Sequence, residues 1–324
     1  MIVKKNINKL FFLFLVTHLF LWTLIPSLTN VNLPLDTIEA LAWGSNLDWG
    51  FSKHPPFSAF AVEVFYRIFG NRDWAYYLLS QIFVVFSFFV VFKFASEFFE
   101  NIKYALLSVL LLEGIFFYNF TSPEFNVNIS QLPFWILSIF YVWRCFKYDK
   151  AVDHILLGLF LGLGFLSKYI FVYLIIGIKL LFLSLILKKK IKSLNFLYTS
   201  VVALLIIFPH ILWLIENNFI TLTYGLHRAG VDENLKNHII FPITFILKQS
   251  GILIPFFIMI FFLIKNLTIK KIKFDDKTSF LFFTFISPIL LIILTSFIMG
   301  MKIRTMWMTP FYLLIGIVFI QIYK

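Results

Sequence analysis

Apolar residues occur along this chain in long runs that short polar segments separate. A helix that crosses a lipid bilayer needs roughly 20 consecutive apolar residues. Ten runs reach or approach that length, near residues 10–28, 74–96, 102–120, 127–146, 154–167, 169–187, 196–215, 241–264, 278–300 and 305–323. The pattern predicts an all-α polytopic membrane protein with about ten transmembrane helices, in which the run at 154–167 is short and abuts the next.

The composition supports a lipid environment for most of the surface. Of 324 residues, 60% are hydrophobic and 14% are charged, with a mean hydropathy of +0.91. Soluble domains average about 45–50% apolar and about 25% charged residues. These values exclude a soluble enzyme, a nucleic-acid-binding domain and a disordered chain. The single Cys145 excludes an internal disulfide and a cysteine-based metal site.

The positions of the basic residues predict the orientation in the membrane. If the N-terminus is cytoplasmic, 18 of the 28 Lys and Arg residues fall on inner segments, Lys188–Lys190 among them, and nine fall on outer segments. Cytoplasmic segments carry the excess of Lys and Arg. We therefore expect cytoplasmic N- and C-termini, an uncleaved first helix, and a multi-pass protein of the bacterial inner (plasma) membrane.

Two long loops then lie on the periplasmic face, near 29–73 and 216–240, and residues 1–324 form one transmembrane domain. In the first loop, Asp36 follows a proline and is expected to cap a short helix that runs to about Trp43. Asp36 and Glu39 share one face of that helix, which brings the carboxylates together. Pro55-Pro56 then opens an amphipathic helix over Phe57–Phe69.

A simpler interpretation explains the same residues. Asp36 and Glu39 then only cap and solubilise an interfacial helix, tryptophans form the aromatic belt, and lysines at outer helix ends extend to the lipid headgroups. Lys168 fits this interpretation least, because it lies at a break between two apolar runs. A charge at such a break usually faces a cavity.

The motifs of the first loop resemble the first periplasmic loop of GT-C membrane glycosyltransferases, in the superfamily of protein O-mannosyltransferases and lipid A aminoarabinose transferases (the PMT_2-like branch). These motifs are Asp36-x-x-Glu39-Ala40, Trp43-Gly44, Gly50 and Lys53-His54-Pro55-Pro56. Four later segments fit the same pattern in order: Glu124-Phe125-Asn126-x-Asn128, Gly162–Tyr169, Pro209-His210-x-x-Trp213-x-x-Glu216-Asn217 and Lys302-x-Arg304-x-x-Trp307-x-x-Pro310.

The chain also departs from that pattern. Many relatives have adjacent Asp-Glu where this chain has Asp36-x-x-Glu39, and the lipid A branch has Lys-Pro-Pro where this chain has His54 before the prolines. Many relatives continue into a soluble periplasmic domain. Because the sequence ends at its last apolar run, we expect the GT-C fold without a soluble C-terminal domain.

The resemblance implies transfer of a sugar from a polyprenyl-phosphate carrier to an acceptor hydroxyl on the periplasmic face. The acceptor would be a glycolipid, such as lipopolysaccharide, or a protein. By this resemblance Asp36 is the catalytic base, and Glu39 orients it or binds the acceptor. The residues expected at the donor phosphate are Lys53, His54, Lys168 and Arg304, and those expected at the substrates are Trp43, Tyr169, His210, Tyr224 and Arg228.

The sequence also bears on metal binding and on functions other than catalysis. We expect no cofactor and no metal, because His54, His210, His227 and His238 show no metal-ligand spacing. Glu113, within the third run, is expected to form a pair inside the helix bundle. The alternatives to an enzyme are a transporter or lipid flippase and an inactive scaffold. Transporters tend to show inverted repeats and matching broken spans, which this sequence lacks.

Overall fold

The computed structural model describes residues 2–187, 194–230, 234–264 and 275–323. All regular secondary structure within these ranges is helical, as the hydrophobic pattern predicts. The lysine run Lys188–Lys190, which contributes to the predicted charge bias, lies outside the described residues.

Sixteen α-helices are numbered here in chain order. They are α1 (Ile2–Thr29), α2 (Leu35–Gly44), α3 (Phe57–Phe69), α4 (Asp73–Phe98), α5 (Ile102–Leu110), α6 (Val127–Ser130), α7 (Leu132–Tyr148), α8 (Ala151–Ser167), α9 (Val172–Leu187), α10 (Phe196–Glu216), α11 (Ile220–Ala229), α12 (Asn237–Ile252), α13 (Ile254–Ile264), α14 (Asp276–Leu281), α15 (Ser287–Met299) and α16 (Ile315–Tyr323). Short 3₁₀ segments lie at Leu111–Gly114, Phe116–Tyr118, Tyr169–Phe171 and Thr305–Leu314, and a π-helical turn lies at Phe282–Ile286.

Among the described residues, seven helices are long and apolar enough to cross a membrane. An eighth span results if α12 and α13 are taken together, since a bend of 52° separates them. The count of ten is therefore not confirmed, although each predicted run is helical. The two remaining runs are the 17-residue helix α8 and the run at 102–120, which is not one continuous helix.

The run at 102–120 is not one continuous α-helix, and Glu113 lies in its first 3₁₀ segment. Helix α5 ends at Leu110, and the chain continues in two short 3₁₀ segments. The Glu113 carboxylate lies 2.5 Å from Nδ1 of His18, which is buried on α1. An unpaired carboxylate at this depth would be costly, so the pair accounts for both polar residues. The expectation that Glu113 forms a pair within the bundle is confirmed.

Close helix packing brings α8 against α10. A Cβ atom on Gly158 would lie 2.5 Å from the carbonyl oxygen of Thr199, and one on Gly162 would lie 2.7 Å from the side chain of Ile206. Small residues let membrane helices approach closely, which strengthens van der Waals contact where lipid gives no hydrophobic driving force. This contact fixes the outer end of α10 beside the connection between α8 and α9.

The connections separate into two sets at opposite ends of the bundle. One end is tied by the contacts of Arg144 with Glu97 and Asp153, and by the Asn195 side chain donating to Asp149. The other end holds the two long loops and the connection at Lys168. All the candidate site residues lie at or near this second end.

The α8–α10 contact predicts the effect of a single methyl group. Gly158→Ala should lower the free energy of unfolding by about 1–3 kcal/mol, because the new Cβ meets backbone that cannot move aside easily. Thermal unfolding of the detergent-purified protein measures this. Gly251→Ala is the matched control, since nothing lies within 4 Å of that position. Equal stability of the two variants would contradict the proposed close contact.

Candidate functional site

The first outer loop begins with the predicted helix α2. The amide groups of Thr37 and Ile38 both donate to the carbonyl oxygen of Pro34, at 3.1 Å. Helix α2 starts at Leu35, so Asp36 lies within its first turn and makes no side-chain cap. The expectation that Asp36 caps the helix is therefore wrong, because Pro34 occupies the N-cap position. The first turn still favours a negative charge through the helix dipole.

The 124–126 segment holds the start of α2. The Glu124 carboxylate accepts a hydrogen bond from the Asp36 amide at 3.3 Å, and the Thr37 hydroxyl donates to the Phe125 carbonyl at 3.1 Å. Asn126 donates to the other Glu124 oxygen and accepts from the first amides of α6. Glu124 therefore lies beside Asp36. The motif Glu124-Phe125-Asn126-x-Asn128 does not by itself predict this position.

Asp36 and Glu124 both have raised pKa values. Burial raises the pKa of Asp36, and the neighbouring Glu39 carboxylate raises it further, whereas Lys168, Lys53 and Arg228 act in the opposite direction. Burial also raises the pKa of Glu124, and Asp36 adds to that effect. A carboxylate with a raised pKa is a better proton acceptor near neutral pH.

Glu39 forms an ion pair with Lys53. This hydrogen bond raises the pKa of the Lys53 ammonium, which remains protonated. The pair joins α2 to the tight turn at 51–54, where the Phe51 amide donates to the His54 carbonyl at 3.1 Å. Glu39 and Lys53, predicted for different roles, therefore contact each other directly.

Trp43 and His54 form an aromatic surface beside that ion pair. The Trp43 ring stacks on Phe51 with centroids 5.4 Å apart, and the His54 ring meets Trp43 edge-on at 5.9 Å. Burial lowers the pKa of His54 to about 3, and the surrounding cations lower it as well. His54 is therefore neutral at physiological pH and offers a phosphate a hydrogen bond rather than a positive charge.

Lys168 occupies the outer connection between α8 and α9 and is almost fully buried. Its ammonium donates to Oδ1 of Asn128 at 2.5 Å and lies 5.1 Å from the centre of the Trp307 ring. Burial lowers the pKa of Lys168 to about 7, and Asp36 opposes that shift. A buried cation held by an amide and an aromatic face attracts an anion. Asn128 and Trp307 were quoted in motifs but not predicted as site residues.

Tyr169 and His210 contact each other beneath the first loop. The Tyr169 hydroxyl lies 2.7 Å from Nε2 of His210, and Nδ1 of His210 lies 2.5 Å from the Trp49 carbonyl oxygen. The imidazole is fully buried and stacks on Trp213. Both ring nitrogens of His210 thus contact protein atoms. The role of Tyr169 and His210 in substrate binding stays a prediction.

Helix α11 brings two further predicted residues to the edge of the site. Arg228 lies near enough to Lys53, His54 and Asp36 to act on the pKa of each, and Tyr224 acts on that of Lys53. Arg304 is exposed at the outer end of the bundle and is not among the groups that shift these pKa values. The Lys302 amide donates to the Ala229 carbonyl at 3.0 Å, which joins this segment to α11.

The described residues contain no group of three or more His, Cys, Asp or Glu side chains that could hold a metal ion. The arrangement is instead two acids, an ion pair and a buried lysine around an aromatic surface. These groups can accept a proton and bind an anion next to each other.

Comparison with known proteins finds one similar family and one similar structure. Residues 53–213 match the family model PMT_2, described as dolichyl-phosphate-mannose-protein mannosyltransferase, which is just under half of the chain. No curated protein matches the sequence. The crystal structure of ArnT from Cupriavidus metallidurans, bound to undecaprenyl phosphate, has a similar fold with a TM-score of 0.66 at 14% sequence identity. The similarity covers 97% of this chain and 59% of the ArnT chain.

The shared fold and the family match confirm the resemblance stated from the motifs, and the chain has a fold of the GT-C type, similar to that of ArnT. Within that type, the matching family model is that of the dolichyl-phosphate-mannose-protein mannosyltransferases. The chain spans about three fifths of the length of the ArnT chain that it resembles.

The buried charge of Lys168 predicts an unusual effect on stability. The Lys168 pKa of about 7 in the folded protein lies below its ordinary value of 10.5, so the unfolded chain binds this proton more tightly. The resulting cost to stability is fully present below pH 7 and disappears as the pH rises toward 10. Lys168→Met should therefore stabilise the protein by about 1–4 kcal/mol at pH 6 and less at pH 9.

Thermal unfolding in one detergent at both pH values measures the change. Lys302→Met is the control, since Lys302 is exposed at the same end of the bundle. A loss of stability in Lys168→Met at pH 6 would show that the ammonium stabilises the fold.

Proposed function

We propose that the protein transfers a sugar from a polyprenyl-phosphate-sugar donor to a hydroxyl group of a cell-envelope acceptor, a glycolipid or a protein. The single observation that carries this proposal is the placement of Asp36, with its raised pKa, beside the buried cation Lys168. A base for an acceptor hydroxyl and a cation for a leaving phosphate are the two groups that the reaction needs.

The reaction follows from these two groups. Asp36 accepts the proton of the acceptor hydroxyl as its oxygen forms a bond to the anomeric carbon of the sugar. The bond between that carbon and the phosphate oxygen breaks, and the polyprenyl phosphate leaves with the electron pair. Glu39 raises the basicity of Asp36, and Glu124 accepts a hydrogen bond from the Asp36 amide and so holds the residue in place.

The leaving phosphate gains negative charge, which cations stabilise. Lys168 is the main candidate because its ammonium has neutral partners and is largely removed from water, where its field is least screened. Lys53 would leave its ion pair with Glu39 and bind the phosphate instead. Neutral His54 would donate a hydrogen bond to a phosphate oxygen. Arg304 is assigned the weakest role, because it is exposed at the rim.

The sugar is proposed to bind against the aromatic surface at Trp43, with Tyr224 and Arg228 of α11 at the opposite edge. Aromatic rings suit the apolar faces of sugar rings, and a guanidinium donates to hydroxyl or phosphate oxygens in fixed directions. ArnT is seen with undecaprenyl phosphate in its structure, which supports a polyprenyl phosphate as the carrier here.

We further propose that this end of the bundle faces the periplasm of a bacterial inner membrane, with both termini cytoplasmic. Cysteines placed at Ser45 and Asn234 in a Cys145→Ser background should react with an impermeant thiol reagent in cells with a permeabilised outer membrane. Glu100→Cys, which lies exposed at the other end of the bundle, should not. Labelling of the cysteine at position 100 but not of the one at position 45 would show that the protein has the opposite orientation.

The activity is tested on Asp36. Asp36→Asn keeps the size of the side chain but removes its basicity, so the rate of transfer should fall roughly 10²–10⁴-fold. The substrates are first identified by mass spectrometry of envelope glycolipids and proteins from a strain that lacks the gene. Initial rates are then measured by adding back wild-type or variant protein to membranes of that strain.

Asp73→Asn is the matched control, since Asp73 is an exposed acid at the start of α4. It should leave the rate nearly unchanged. If Asp36→Asn transfers sugar at the wild-type rate, Asp36 is not the catalytic base. A flippase or transporter would instead show unchanged sugar linkages in the deletion strain and altered amounts of lipid on each leaflet.

A further inference from the structure

Each residue from Asp48 to Phe51 contacts a side chain of α10 or α11. The Trp213 indole donates to the Asp48 carboxylate at 2.7 Å, and the Thr221 hydroxyl donates to the Phe51 carbonyl at 2.7 Å. Between them, Gly50 packs so tightly that an added Cβ would lie 2.3 Å from the Trp213 ring. The segment is therefore fixed against the bundle rather than free in solvent.

His210 supplies the central bond of this clamp. A carbonyl oxygen only accepts hydrogen bonds, so Nδ1 of His210 carries the proton and donates to the Trp49 carbonyl. In the neutral ring Nε2 is then an acceptor, and the Tyr169 hydroxyl donates to it. The two bonds define one tautomer and one ring orientation, and the buried imidazole has no nitrogen left for a substrate.

The clamped segment leads directly into the residues that meet the donor. The turn closed by the Phe51 amide and the His54 carbonyl follows two residues after Trp49, and it carries Lys53 and His54. Lys53 in turn pairs with Glu39 on α2. A shift of the Trp49 carbonyl would therefore move Lys53 and His54 relative to Asp36.

We propose that His210 is a positioning residue: through its Nδ1 bond to the Trp49 carbonyl it fixes the 48–54 segment, and so sets where Lys53 and His54 meet an anionic lipid phosphate. This inference deepens the proposed function and rests on it for the identity of the ligand. The Pro-His-x-x-Trp motif of α10 thereby has a physical explanation, since His210 and Trp213 hold successive residues of one loop.

The two amide replacements of His210 separate its two bonds. The Asn side chain places its NH₂ group near the position of Nδ1, so His210→Asn retains the donor to Trp49 and loses the acceptor for Tyr169. The longer Gln side chain reaches the position of Nε2, so His210→Gln retains the acceptor and loses the bond to Trp49. Positioning through Trp49 requires Asn to replace His better than Gln does.

Two measurements on the full-length protein test this. The first is hydrogen–deuterium exchange of the amides in 48–54, without ligand. The second is the affinity for undecaprenyl phosphate in detergent. His210→Gln should speed exchange and weaken binding by about 5- to 30-fold, the range for one lost hydrogen bond. His210→Asn should stay within about twofold of wild type in both.

Gly50→Ala displaces the same segment through Trp213 and should reproduce the His210→Gln result. His238→Gln is the control, because Nδ1 of His238 also lies 2.8 Å from a carbonyl oxygen, that of Phe297, away from this segment. It should alter neither measurement. If His210→Gln does not fold, His210→Asn decides alone: wild-type protection of 48–54 supports the proposal, and lost protection overturns it.

Equal losses in the Asn and Gln variants, or a larger loss in the Asn variant, would also overturn the positioning role. The larger Asn loss would indicate that His210 acts through Nε2. Failure of the proposed function gives a different result: wild-type protein then does not bind undecaprenyl phosphate, while the exchange measurement still reports whether His210 holds the loop.

Discussion

The removal of the Lys168 ammonium from water is the constraint on which the outer end of the bundle depends. A buried cation is stable only if polar groups or rings surround it. Here the amide of Asn128 and the ring of Trp307 do so. These partners come from the beginning of α6 and from the 3₁₀ segment before α16, so the break between α8 and α9 has to meet both. Lys168 therefore fixes three distant parts of the chain around one point.

The first loop supplies the charge that these neutral partners do not. Among the described residues, Asp36 is the one group that raises the pKa of Lys168, and Lys168 is the strongest of the cations that lower the pKa of Asp36. Burial and the Glu39 carboxylate act on the pKa of Asp36 in the other direction. The result is an acid whose proton affinity depends on the balance of nearby charges at the outer end of the bundle.

Much of this fold is readable from the sequence, because lipid imposes a simple rule on helix length and polarity. The apolar runs locate the helices, and the prolines before Leu35 and Phe57 locate the starts of α2 and α3. The break at Glu113 is not readable in this way, since the run from 102 to 120 is apolar on both sides of it. The break follows from the pairing of Glu113 with His18, a contact across 95 residues.

The composition of the site was predictable only in part, for a related reason. Motifs select residue types, so Asp36, Glu39, Lys53 and Lys168 emerge from the sequence. Which of these residues pair with each other depends on three-dimensional contacts. Glu124, Asn128 and Trp307 lie in the quoted motifs, yet nothing in the sequence shows that they meet Asp36 or Lys168. The Glu39–Lys53 pair joins two residues that sequence reasoning assigned to separate roles.

Under the proposed function, the charges around Asp36 imply that the donor binds before Asp36 accepts a proton. Without donor, Lys168, Lys53 and Arg228 hold the pKa of Asp36 below the value that burial and Glu39 alone would give. A bound phosphate adds negative charge beside those cations and cancels part of their effect, so the proton affinity of Asp36 rises. The base is then strongest when the donor is in place. As the sugar leaves, the phosphate becomes more negative still, which favours the protonated Asp36 that the reaction produces and couples proton transfer to departure of the lipid phosphate.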